Sequence, residues 1–121
     1  MNWKTVSIQE YFDKTLEARR RSDESGVGGD YCDWRGTLFV LLRNHEETLA
    51  FLENATEREI ACAADVLEEL AQELPKDKAQ SILNIFIKKQ EEFPEVQRYS
   101  AVEFTLEIKI AQEIIDAKAE P

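Results

Sequence analysis

TEREIACAADVLEELAQELP, residues 56–75, is the stretch whose reading decides the fold. Thr56 and Glu59 have capping-box spacing: the hydroxyl accepts from one orphan backbone N–H, and the acid three residues later reaches back to another. Ile60, Ala63, Ala64, Leu67, Leu70, Ala71 and Leu74 then recur at helical spacing and form one apolar face. Pro75 cannot donate an intrahelical hydrogen bond and closes the segment. The pattern predicts one helix over 57–74, with Asp65, Glu69 and Glu73 stacked on its outer side and Cys62 turned toward the polar face. Like charges four residues apart destabilise a helix by roughly 0.2–0.5 kcal/mol per pair. Such a face is either simply solvated or shaped to meet a basic partner.

The same signals recur on both sides. Ser7 with Glu10 and Ser100 with Glu103 repeat the capping-box spacing, and Asp33 and Asn44 are N-cap candidates. Helices are expected near 7–21, 34–43, 45–54, 57–74, 78–92 and 96–118, with 34–43 and 45–54 readable as one bent helix. ILNIFI (82–87) is apolar over more than half its circumference and reads as a central helix. The last helix has two apolar stripes, Phe104, Ile108, Ala111 and Ile115 beside Val102, Leu106, Ile110 and Ile114. One of them either packs between layers or is kept for a partner. Strand patterning is essentially missing. The expected class is an all-α, single-domain bundle of about five or six helices, with stacked HEAT-like hairpins as one arrangement of it. All four glycines fall in SDESGVGGDYCDWRG (22–36), which reads as an irregular loop after the first helix.

The 121 residues fit one domain, and 43% hydrophobic content supports one core. The net charge of -10 disfavours nucleic acid as a partner, since phosphate contacts need basic groups. The charge is uneven. Residues 1–21 are net +2; residues 22–75 hold 3 basic and 13 acidic side chains, net -10; residues 76–121 are net -2. The apolar run LFVLL (38–42) is far too short to span a bilayer, and the polar N-terminus lacks a signal-peptide core. The expectation is a cytoplasmic protein with no membrane partner and with Cys32 and Cys62 as free thiols.

No catalytic or cofactor motif emerges. Gly26, Gly28 and Gly29 lack the Gly-Lys-Ser/Thr ending of a phosphate loop. His45, the only histidine, is followed by Glu46 and Glu47, but no second His completes a zinc pair, so a surface or hinge role is expected. Arg19, Arg20 and Arg21 suit the carbonyl-rich end of the first helix or a contact with the acidic middle segment. Neither an enzyme nor a cofactor is expected.

LFVLLRNHEETLAFLENATEREIACAADVLEELAQEL (38–74), with 81–94 ending KKQEEFP, resembles small α-helical bacterial immunity proteins of contact-dependent growth inhibition and related polymorphic-toxin systems. The matching elements are the FLE-x-A-T-E-x-E helix entry at 51–59, A-x-x-V-L-E-E-L at 63–70 and the Phe93–Pro94 ending, together about half the chain. The resemblance implies an inhibitor that binds one cognate protein toxin, often a basic nuclease. It supplies no binding motif. Charge and wheel geometry nominate Asp65, Glu68, Glu69 and Glu73 for the binding surface, with Glu46, Glu47, Asp30, Asp33, Tyr31 and Trp34 as neighbours. The alternative is an acidic adaptor or self-associating module, and the free protein is expected to be a monomer or weak homodimer.

Overall fold

The computed structural model describes residues 6–25, 34–100 and 102–118, without the side chains of 19, 21–25 and 34. Among the described residues every regular element is helical: α1 (Ile8–Ser25), α2 (Trp34–Arg43), α3 (His45–Glu53), α4 (Glu57–Ala63), α5 (Leu67–Glu73), α6 (Lys76–Glu92) and α7 (Phe104–Asp116). Two 3₁₀ turns, Ala64–Val66 and Val96–Tyr99, join α4 to α5 and precede α7. The protein is an all-α, single-domain bundle.

The expected caps hold at three of four described positions. Thr56 and Glu59 form the full capping box of α4. Asn44 caps α3 by accepting from the Glu47 N–H, which separates α2 from α3 and resolves the bent-helix alternative in favour of two helices. Ser7 accepts from the Glu10 N–H at the start of α1. Ser100 caps no helix: its hydroxyl accepts from Val102, and Glu103 is the N-cap of α7. The expected helix over 96–118 is thus a 3₁₀ turn followed by α7. Gln97 fixes that break, donating to the Val102 carbonyl and accepting from the Phe104 N–H at 2.6 Å. The first helix runs on to Ser25, so the arginines do not end it, and Arg20 pairs with Glu17 within α1.

The deciding stretch is not one helix. Ile60 to Ala64 and Val66 are all buried, so α4 beyond its first turn is enclosed all round rather than along one stripe. The small side chains of Ala61, Cys62, Ala63 and Ala64 let neighbours approach from every side, and α1, α6 and the Val96–Tyr99 turn pack on α4. Cys62, expected on the polar side, is a free thiol in the core. The Ala64–Val66 turn winds at about 120° per residue rather than about 100°, so it turns α5 by about 60° against the single-helix wheel. Val66, at φ -119 and ψ 16, completes the offset.

α2 and α3 form one pair and α5 and α6 another; α2 packs on α5 and α3 on α6, while α7 covers both α5 and α6. α1 lies across α2, α3 and α4. Tyr11, Phe12, Leu41, Leu52, Ile60, Leu67, Leu70, Ile82, Leu83, Phe86 and Phe104 fill a continuous core. Three buried polar side chains are matched: Tyr11 Oη lies 2.9 Å from Thr37 Oγ1, and Thr48 Oγ1 donates to the Leu41 carbonyl at 2.7 Å.

The two helix-entry signals should separate on mutation. Thr56→Ala removes half of the capping box and should cost about 1 kcal/mol. Ser100→Ala should stay within about 0.5 kcal/mol. Urea unfolding of both variants measures the difference.

Candidate functional site

On α5, Leu67, Leu70 and Ala71 are buried, Glu68 and Glu69 are half-buried at the edges of the seam, and Gln72 and Glu73 are exposed. Asp65 stands half-buried in the 3₁₀ turn, off the α5 wheel. Across the seam, α7 buries Phe104, Ala111 and Ile115, and Glu107 sits half-buried on the flank of that stripe. There Glu107 is faced by Glu68, Glu69 and Asp65, all acids. Burial first, then the Glu68 contact and the charges of Glu68, Glu69 and Asp65, push the Glu107 carboxyl up from 4.5 to about 7. Near neutral pH the Glu107 carboxyl is therefore protonated about half the time.

Of the nominated residues, Asp65, Glu68 and Glu69 come together. Glu73 stays on the exposed side of α5. Glu107 is the member that the sequence reading missed: it lies far along the chain, in the last helix, and no local spacing couples it to 65–69. Its only signal in the sequence is its place next to the Phe104–Ala111 face, where an acid is out of pattern.

Glu46 and Glu47 belong elsewhere. Both open α3, which packs on α1, α2 and α6. Glu46 is exposed. Glu47 ties the N-terminal segment down: its carboxylate meets Arg43 at 3.1 Å and accepts from the Ile8 N–H at 3.4 Å, while Arg43 donates to the Val6 carbonyl at 2.7 Å. Asp30, Tyr31 and Asp33 lie outside the described residues, as does the side chain of Trp34, whose backbone begins α2. Glu59 is nearly buried and bonded to both the Thr56 N–H and Gln9, a structural acid rather than a surface one.

His45 is half-buried, and its Nδ1 has no hydrogen-bond partner among the described residues. Among those residues no group of three or more His, Cys, Asp or Glu side chains is arranged to hold a metal ion. No helix of the described residues is long and apolar enough to cross a membrane. A cleft of about 740 Å³ opens between α3 and α6, lined by Leu49, Asn54, Ser81, Ile85, Lys88 and Lys89 with Glu53 and Glu92 opposing the lysines. Lys89 is nearly buried there, 3.2 Å from Glu92 and 5.5 Å from the centre of the Phe93 ring. Matched charges give this cleft no preference for an anion or a cation.

Comparison of the chain with protein-family models, curated proteins and solved structures returns no match.

The different duties of the two α3 acids are measurable. Glu47→Ala should destabilise the fold by about 1–3 kcal/mol, because it strips Arg43 and the Ile8 N–H of a charged partner. Glu46→Ala should remain within about 0.5 kcal/mol. Chemical denaturation of the two variants, one residue apart, checks this.

Proposed function

We propose that the protein is a non-enzymatic immunity-type inhibitor that binds one cognate bacterial toxin of basic character in the cytoplasm. The observation that carries this reading is the grouping of Asp65, Glu68, Glu69 and Glu107 along the α5–α7 seam, where mutual repulsion and burial hold one carboxyl up near 7. A concentration of like-charged acids costs the free protein, and a cationic surface laid over it relieves that cost. A groove built for phosphates is such a surface, and complementary fields accelerate its capture. The resemblance of 38–74 and 81–94 to immunity proteins supports the same reading, and Glu73 extends the acidic edge on the exposed side of α5.

The test uses the toxin encoded beside this protein. Asp65→Asn, Glu69→Gln and Glu73→Gln combined should slow association about 10–100-fold at low salt and flatten its salt dependence, with the fold retained by circular dichroism. Unchanged association rates and affinity would place the binding surface elsewhere.

A second reading, a self-associating module, draws on the outer stripe of α7. Leu106 is 46% exposed there, with Val102, Ile110 and Ile114 only half-buried. It predicts a dimer in sedimentation that Leu106→Glu dissociates; a monomer at every concentration reached removes it.

A further inference from the structure

α7 is buried along one side, where Phe104, Ala111 and Ile115 pack on α5 and α6. A second apolar row, Leu106, Ile110 and Ile114, runs along its outer side at intervals of four residues. Leu106 is 46% exposed there, and Ile110 and Ile114 are half-buried. Side chains four positions apart form a ridge on a helix surface. Ile114 leans on the core at one end of the ridge, and Val102 does so just before the other. The ridge is therefore held in place while its middle meets solvent.

The rows beside the ridge differ in charge. On the α6 side, where Gln90 donates to Thr105, stand Thr105, Lys109 and Glu113, one hydroxyl, one cation and one acid. On the α5 side stand Glu103 and Glu107, with Glu68 and Glu69 at the edge of α5 beyond them. An aliphatic ridge with one acidic flank has an orientation as well as a hydrophobicity. We propose that this ridge docks a basic amphipathic helix of a protein partner, seated on Leu106, Ile110 and Ile114 with Lys or Arg side chains along the Glu103–Glu107 flank.

Hydrogen bonding selects a helix as the occupant. The interior N–H groups of α7 are spent within it, and among the described residues no strand offers an edge for pairing, so a docking segment has to satisfy its own backbone. A helix does so, and the grooves between its own rows of side chains accept a ridge of this kind. Charge then selects among helices. A second copy of this chain brings net charge -10 against net charge -10, and an antiparallel pair about a two-fold axis sets the acidic flank against itself. A basic helix places cations on that flank instead. The docking deepens the inhibitor reading, on which it rests for the partner's identity, by naming the element of the partner that this surface receives.

NMR titration of the full chain with a synthetic helical peptide of about 18 residues, carrying Leu along one face and Lys along one flank of it, tests the docking. The expected result is saturable binding, with shift changes concentrated on residues 103–114 and on Glu68 and Glu69. A scrambled peptide of the same composition keeps the charge without the stripe and should bind about tenfold more weakly. Leu106→Ser should weaken the ordered peptide about tenfold. Glu69→Gln should weaken it about threefold at low salt, whereas Glu46→Gln, the same loss of charge on α3, should leave it unchanged. Should Leu106→Ser not fold, the scrambled peptide supplies the same comparison on the unaltered protein. No binding below about 1 mM, equal binding of the scrambled peptide, shift changes centred elsewhere, or a homodimer that Leu106→Ser dissociates each overturns the proposal. The toxin encoded beside this protein separates the two readings. A toxin that binds without protecting α7 from hydrogen exchange overturns the docking alone; a peptide that docks on α7 while that toxin does not bind overturns the inhibitor reading alone.

Discussion

The enclosure of α4 on every side is the constraint from which the remaining geometry follows. A helix of seven residues is marginal by itself, and this one is held by its capping box and by neighbours that reach its backbone through Ala61, Cys62 and Ala63. Because no side of its last five residues faces water, the chain does not continue α4 as an amphipathic helix with one solvated face. The Ala64–Val66 turn resets the wheel, and α5 emerges with Leu67, Leu70 and Ala71 toward the core and Glu68 toward α7.

α7 completes the arrangement. Its start is set by Gln97, its α6 flank by amide pairing, and its far end by Lys118 donating to the Gln72 carbonyl at 2.8 Å. With those fasteners fixed, Glu107 is brought to the side of α7 that the α5 acids face. That position is thus a consequence of apolar packing elsewhere, since Phe104, Ala111 and Ile115 dominate the docking energy and the acids ride on the flank. Such an arrangement couples surface charge to the seating of a helix, and it would also couple partner binding to proton release. A cationic surface approaching the seam favours the ionised Glu107, so its arrival displaces that proton.

The acids divide into two kinds that composition cannot separate. Glu59 and Glu47 are bonded to N–H groups and neighbouring side chains, where a carboxylate is the best available acceptor. Glu68, Glu69, Asp65 and Glu107 instead face one another across a helix seam. Only the second kind gathers like charges along one seam, and only it supports a reading as a surface for a basic partner.

Local rules were legible in the sequence: an all-helical chain, the cap at Thr56, the Asn44 break and the apolar faces of α5, α6 and α7, because each depends on residues within a few positions of one another. The grouping of Asp65, Glu68 and Glu69 was half-legible, since the sequence places them on neighbouring turns but reads them as one outer face. What only the tertiary structure decided was the interruption at Ala64–Val66, the burial of Cys62 and the arrival of Glu107. A helical wheel assumes one wet side, and a helix surrounded by neighbours has none. The pairing of Glu107 with residues nearly forty positions earlier depends on how α7 seats against α5, a long-range packing outcome that no local spacing encodes.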